Sequence, residues 1–514
     1  MILNFTSEKK NNLFAFLAGS LGALAFAPFH FFLAIIFSLT FFFFLLAEAK
    51  QKKAAFWRGF YFGFGHFLCG IYWISIALLV DAKQFAWLIP FALTLIPAAL
   101  ALYLALFALS YHFFCTKFFL QKTYQKILLF SLLWIFFEAL RATLFSGFPW
   151  NLLGYAWMFN QEFLQTASVF GVYGLSLLAL FVSLSPALFL NKFQLKKPAF
   201  DDKIFASCLL LVLIFAFAFG AKNIADKKNE ARPKATARLV QANVKQELKW
   251  DPKTRYENFL KHIALTNSKS LEEVDLVVWS ETSVPYIVDD NPELLSKLTL
   301  AVPPQGFLIT GALRMESEDL SQKFWNSVFV FDEKGVVKSY DKQHLVPFGE
   351  YVPLQKFFPF IDKITGGGEG FAVGDGAKTV DFGRFSAGPL ICYEAIFSSE
   401  VLDAKAAPDF FVNLTNDAWF GKSTGPYQHF DMARMRAVEY GIPLIRVAGS
   451  GVSALFDSVG DIVAKTELHE EAVIDVEVKV NSSPTLYQLY GFKPLLILVL
   501  LLSLVLVFSA WKKK

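Results

Sequence analysis

Seven predominantly apolar runs precede Lys222, and an eighth closes the chain. They cover roughly Leu13–Ala27, Phe31–Ala47, Phe56–Val80, Phe85–Phe114, Ile127–Leu144, Leu164–Leu190, Ile204–Gly220 and Leu495–Trp511. A helix needs about 20 such residues to cross the hydrocarbon core of a bilayer. Lipid supplies no hydrogen bonds, so each crossing must satisfy its backbone internally. These runs predict a multi-span α-helical membrane domain of about eight transmembrane helices. The first two runs are short, and Pro28 between them marks a hairpin. The Ala25-Phe26-Ala27 sequence resembles a cleavage site, but Pro28 follows it at once, which favours an uncleaved first span.

Lysine placement orients these spans. Lys9 and Lys10 precede the first run; Lys50, Lys52 and Lys53 follow the second; Lys117, Lys122 and Lys126 follow the fourth; Lys192, Lys196 and Lys197 follow the sixth. Lys512, Lys513 and Lys514 end the chain, and the alternate loops are poor in Lys and Arg. Positive charge marks the cytoplasmic side, so both termini are expected there. The long segment between the seventh and eighth runs is expected on the outer side. Residues 145–163 form an aromatic loop whose rings read either as a headgroup-level belt or as a lipid-admitting wall.

Composition agrees with this division. Of 514 residues, 55% are hydrophobic and only 18% charged, against about 25% charged in soluble domains. Such a chain is neither an ordinary cytosolic enzyme nor disordered. The formal net charge of +4 conceals an asymmetry. Between Lys222 and Tyr490 lie 29 basic and 37 acidic residues, leaving 19 basic and 7 acidic elsewhere. The excess lysines sit in short loops between apolar runs, so a nucleic-acid-binding stripe is not implied. Three domains are therefore expected: residues 1–221 with seven spans, residues 222–490 as a large outer soluble domain, and residues 491–514 as a terminal span with a Lys tail.

Within residues 222–490, short β-rich runs alternate with polar helical stretches, which predicts a layered α/β domain. Strands are expected at Ala237–Ala242, Leu276–Ser280, Gly306–Gly311, Ser327–Phe331, Val336–Tyr340, Ala387–Cys392, Phe410–Asn413, Leu444–Val447, Ser453–Phe456 and Val473–Val478. Helices are expected at Arg255–Ser268, Pro292–Leu300 and Pro426–Tyr440. The glycines of Ile361–Asp375 suggest a mobile loop, but the stretch lacks a phosphate-binding pattern.

Three strand ends carry candidate chemistry. Gly388-Pro389-Leu390-Ile391-Cys392-Tyr393-Glu394 delivers a thiol at the end of an apolar strand. Cys69, Cys115 and Cys208 fall in or beside spanning runs, so Cys392 has no disulfide partner in its domain. A lone Cys in such a place is a candidate nucleophile, although a packed core residue is the commoner case. Val277-Val278-Trp279-Ser280-Glu281 ends a second strand on a carboxylate, and Lys342 follows a third, eight residues before Glu350. The seven His are scattered, and no zinc-ligand spacing occurs, so no metal and no cofactor are expected.

The order Glu281, Lys342, Cys392 resembles the nitrilase, or carbon–nitrogen hydrolase, superfamily, whose domain is an αββα sandwich. The runs Glu281-Thr282-Ser283-Val284-Pro285, Tyr340–Pro353 and Ile391–Glu394 resemble its membrane-bound apolipoprotein N-acyltransferase family. That resemblance implies Cys392 as nucleophile, Glu281 as general base and Lys342 as oxyanion stabiliser beside the Tyr393 N–H. Glu350 would support Lys342, while Glu394 and Tyr393 would shape the pocket. Trp250 would be a substrate-binding rim residue, and Trp419, in Asn413–Gly421, would line the pocket. Arg434, Arg436 and Glu439 read equally as internal salt bridges or ligands, and the scheme needs neither His344 nor His429.

The implied partners are a phospholipid acyl donor, typically phosphatidylethanolamine, and a diacylated apolipoprotein acceptor. The implied location is the bacterial inner membrane with the catalytic domain periplasmic. No nucleic acid is expected, and nothing demands a second subunit. The alternative is a membrane-tethered amidase in which water replaces the amine.

Overall fold

The computed structural model describes residues 7–191, 194–288, 292–318, 321–353, 370–403 and 406–511. Residues 361–369 of the expected mobile loop and the terminal Lys512–Lys514 lie outside the described residues. The chain divides into two units. One holds residues 1–75, 87–225 and 485–514; the other holds residues 76–86 and 226–484.

The first unit is helical: α1 (Glu8–Gly22), α2 (Phe32–Ala47), α3 (Lys52–Gly70), α4 (Ile89–Lys117), α5 (Thr123–Thr143), α6 (Ala167–Leu184) and α7 (Phe200–Glu230), the last continuing into the second unit, then a terminal helix, Lys493–Trp511. Among the described residues, five helical segments are long and apolar enough to cross a membrane: Ala82–Lys117, Thr123–Ser146, Ala167–Phe189, Phe200–Glu230 and Lys493–Trp511. The count is lower than eight for local reasons. Helix α1 has 15 residues and opens on Glu8, Lys9 and Lys10, and α2 has 16. Helix α3 carries Lys52, Lys53, Arg58 and His66.

Small residues let these helices approach closely, as membrane interfaces require. Gly59 and Gly63 of α3 face Ala101, Leu104, Ala105 and Ala108 of α4; a Cβ on Gly63 would meet the Ala101 Cα at 2.9 Å. On the opposite side, Gly65 abuts Phe16 and Ser20 of α1. The aromatic loop is neither a belt nor a wall over most of its length. Trp150, Tyr155 and Trp157 are buried, Trp150 against Trp73, and Arg141 donates to the Phe148 and Trp150 carbonyls. Phe145 and Phe159 alone of its large aromatic rings are well exposed.

The second unit is a two-sheet sandwich. Its strands are β1 (Arg232–Gln241), β2 (Leu276–Trp279), β3 (Val284–Ile287), β4 (Phe307–Glu318), β5 (Ser321–Asp332), β6 (Gly335–Asp341), β7 (Val380–Asp381), β8 (Ser386–Ile391), β9 (Phe410–Thr415), β10 (Leu444–Ala448), β11 (Ala454–Phe456), β12 (Ile462–Lys465) and β13 (Ala472–Val480). One sheet runs β13-β1-β2-β4-β5-β6, with β3 beside β4; the other runs β12-β11-β10-β9-β8-β7. Strands β1, β2 and β4 are parallel, as are β8, β9 and β10.

Side chains alternate across a strand, and β2 uses both faces. Leu276 and Val278 enter the core shared by the two sheets with Ile391, Val412 and Val447. Val277 and Trp279 face the other way, against Phe259 and Ile263 of the helix Arg255–Thr266. A strand apolar on both faces belongs in the middle of a layered α/β unit. The helix Gly425–Tyr440 packs against the second sheet, with Tyr440 edge-on to Phe411. All ten expected strands occur; β3, β7 and β12 are additional.

Candidate active site

Glu281, Lys342 and Cys392 each stand just beyond a strand end: β2, β6 and β8 respectively. β8 belongs to the second sheet and the other two to the first, so the site bridges the layers. Lys342 Nζ lies 3.0 Å from Glu350 Oε1 and 3.7 Å from Glu281 Oε1, all three side chains buried. Asn326 of β5 joins the two carboxylates, its Nδ2 donating to Glu281 at 2.7 Å and to Glu350 at 3.0 Å. Its carbonyl also accepts the Lys342 N–H.

Glu394 holds the two layers together. Its carboxylate accepts the Ile391 N–H at 2.6 Å, just ahead of Cys392, and the Gln343 N–H at 2.7 Å, just after Lys342. The Tyr340 hydroxyl donates to it at 3.0 Å. Burial pushes Glu394 up to about 7, against the opposing pull of these donors and of Lys342.

The backbone is held in the left-handed region at Thr282 (φ 46°), Phe348 (φ 62°) and Cys392 (φ 51°). Each is unfavourable for a residue with a side chain, and such strain concentrates at functional sites. At Cys392 it turns the chain from β8 into the turn Cys392–Ile396. Gly311 of β4 makes room for the Glu281 segment, since a Cβ there would meet Thr282 N and Glu281 Cα.

Charge around the sulfur is consistent with a resting thiol. Burial, then the Glu281 carboxylate, pushes Cys392 up to about 12, while Lys342 and Thr415 pull it down. Burial lowers Lys342, but the Glu350 and Glu281 carboxylates outweigh it and hold the ammonium above the ordinary lysine value. Nucleophilic attack by this thiol therefore needs a base to take its proton, and Glu281 is the nearby carboxylate.

Tyr393 sets its ring edge-on to Phe397 and His344, and His344 pairs with Glu400. His429 has a more direct place. Its Nε2 lies 3.1 Å from the Cys392 carbonyl and its Nδ1 2.9 Å from Asp417, which Arg446 anchors at 2.6 Å. Arg436 and Glu439 form a buried salt bridge and Arg434 Nε donates to the Gly460 carbonyl, so these three are internal. Trp250 is 41% exposed and Trp419 partly so, and among the described residues neither indole makes a hydrogen bond or ring contact. Their loops are joined, because Asn416 donates to Gln246 at 2.6 Å.

Sequence reasoning missed Asn326, the joining of Asp417 with His429 and Arg446, and the inward contact of Lys249, which donates to the Glu281 carbonyl at 2.8 Å. The available signal was weak: an Asn among apolar strand residues, and a Lys beside an expected rim tryptophan.

Residues 18–185 match the apolipoprotein N-acyltransferase N-terminal domain, and residues 236–485 match the carbon-nitrogen hydrolase domain. An apolipoprotein N-acyltransferase of Rickettsia prowazekii is 36% identical over 502 residues, covering 96% of this chain and 98% of the relative. One of Rickettsia typhi is 37% identical over 500 residues, covering 96% and 97%. One of Rhizobium rhizogenes is 37% identical over 494 residues, covering 91% and 89%. The chain is a membrane protein of the apolipoprotein N-acyltransferase family.

Proposed function

We propose that this protein moves an acyl chain from a phospholipid, with phosphatidylethanolamine as the expected donor, to the N-terminal amine of a diacylglyceryl-cysteine lipoprotein. The observation that carries the reading is the convergence of Glu281, Lys342 and Cys392, supported by Glu350, in a chain of this family. Glu281 takes the Cys392 proton as sulfur attacks the ester carbonyl. The carbon–sulfur bond forms, the ester carbon–oxygen bond breaks, and the proton leaves with the lysophospholipid hydroxyl. Lys342 and the Tyr393 N–H stabilise the tetrahedral oxyanion. The acceptor amine then attacks the thioester, giving an amide and restoring the thiol through Glu281. Glu350 and Glu394 hold the Lys342 segment, and Trp250 and Trp419 receive substrate.

Both substrates are lipids, and each buried CH₂ holds them in the bilayer by about 0.8 kcal/mol. A membrane-borne thiol suits them better than a soluble one. In the same reading α1, α2 and α3 join the five long apolar segments as spans, giving eight. Both termini lie in the cytoplasm, and the catalytic domain, residues 222–490, lies on the periplasmic face of the inner membrane.

The test is intact-mass measurement of the purified protein incubated with phosphatidylethanolamine and no amine. A hydroxylamine-labile acyl adduct is expected on wild type and absent from Cys392→Ala. A folded wild type that forms no adduct but hydrolyses small amides would replace this reading with the amidase one.

A further inference from the structure

Lys249 ends a short helix, Gln246–Lys249, immediately before Trp250. Leu248 and Trp250 on either side are about 40% exposed, whereas Lys249 is 8% exposed. The segment is pinned at its other end by the Gln246–Asn416 hydrogen bond. The Lys249 ammonium reaches inward and donates to the main-chain carbonyl of Glu281 at 2.8 Å, its one hydrogen bond among the described residues.

Stability does not account for this arrangement. A buried ammonium with a single neutral acceptor loses more hydration than it regains, and an apolar side chain of similar length is usually cheaper to bury. Charge does account for it. Lys342 faces two buried carboxylates, Glu281 and Glu350, so that group alone carries a net negative charge. Further negative charge must form there, first on sulfur and then on the substrate oxygen. A negative surplus opposes both steps, and a second buried ammonium balances two carboxylates with two cations.

We propose that Lys249 is a positioning residue for acyl transfer: its ammonium fixes the main chain at Glu281 and supplies the second positive charge that lets Cys392 give up its proton. This rests on the acyl-transfer reading and adds to it a residue that touches neither substrate nor sulfur. It also connects the partly exposed Trp250 loop to the general base through one side chain.

The inference has a pH signature. Burial pulls Lys249 down to about 8, opposed by Glu281 and then by Cys392. From the helix Arg255–Thr266 it is faced by His262, which burial keeps near 4 and hence neutral. Lys342 and Glu350 stand beyond Glu281. Below pH 8 the ammonium is charged and offsets the second of the two carboxylates that face Lys342. As pH rises through 8 the proton is lost, that offset disappears, and thioester formation slows.

The test measures single-turnover thioester formation by the full-length protein in phosphatidylethanolamine vesicles, without amine acceptor, from pH 6 to 10. Omitting the acceptor removes its own amine titration from the profile. Wild type should slow with a midpoint near pH 8. Lys249→Met should be about 10- to 100-fold slower at pH 7, the loss expected for one charge-assisted hydrogen bond, and should show no fall near pH 8. Lys249→Arg should recover most of the rate and carry the fall above about pH 10, because guanidinium stays charged. A folded Lys249→Met with the wild-type rate, or with a fall still near pH 8, overturns the proposal. Should Lys249→Met not fold, an unshifted fall in Lys249→Arg overturns it equally. Wild type without any adduct defeats the acyl-transfer reading itself.

Discussion

In the terminal helix Lys493–Trp511, Leu496, Leu500, Leu501 and Leu504 are all more than half exposed, while in β1 of the catalytic unit Leu239 has no exposure at all. The same side chain plays opposite parts because the surroundings differ. Lipid is as apolar as leucine, so an outward leucine in a span loses nothing, and association between spans depends on close packing. In the catalytic unit, water drives leucine inward. Buried charge differs likewise. Arg58 of the helical unit ties α3 to the Leu45 carbonyl of α2 and to Glu8 of α1, and Arg141 ties the aromatic loop to α5 through the Phe148 and Trp150 carbonyls. Lys342 instead pairs with the Glu350 and Glu281 carboxylates of the candidate site, and Lys249 donates to the Glu281 carbonyl beside them. The second unit also has bracing pairs, such as Arg436 with Glu439, but it adds a cluster of opposite charges around Lys342.

Four substitutions would break or sharpen this contrast. Leu239→Ala should destabilise the catalytic unit by about 2–5 kcal/mol through a cavity between the sheets, read as a lowered midpoint in chemical unfolding. Gly311→Ala should leave the fold intact but displace Glu281, slowing thioester formation by about 100-fold, as small misplacements at reacting groups do; an unchanged rate would mean the Glu281 segment tolerates the shift. Gly63→Leu should force α3 from α4 at a cost of about 1–3 kcal/mol, seen as earlier thermal unfolding in detergent. Leu500→Ala, chemically identical to the first change, should shift stability by less than about 0.5 kcal/mol. A loss comparable with that of Leu239→Ala would show that this face of the terminal helix is covered by another protein surface.

The strands were legible where β-branched and aromatic residues stop abruptly at a polar one, as at Val278-Trp279-Ser280-Glu281 and Leu390-Ile391-Cys392. Three were not. β3, β7 and β12 have four, two and four residues, and β12 alternates no apolar face, being exposed along most of its length. β4 and β5 also run far beyond their apolar centres. Their outer ends pair Arg314 with Trp325 and Glu316 with Lys323, and Arg314 reaches Asp341 at 2.8 Å. Ladder bonds and an ion pair extend those strands where hydrophobic alternation has ended. Asn326 was illegible for a related reason: it lies 45 residues from Glu281 and 24 from Glu350 along the chain.

Local pattern alone determined the division into apolar spans and an acidic α/β domain, the positions of most strands, and the three strand ends bearing Glu281, Lys342 and Cys392. These depend on length, periodicity and residue type within short windows, where near neighbours dominate the free energy. Only tertiary structure decided that β2, β6 and β8 end together across two sheets, that Asn326 and Glu394 join their loops, that Trp150 and Trp157 are core rather than belt or wall, and that Lys249 points inward at Glu281. Each depends on which distant groups a side chain meets once buried. The free energy of a buried charge or hydrogen bond is set by those partners, and residues adjacent in sequence do not name them.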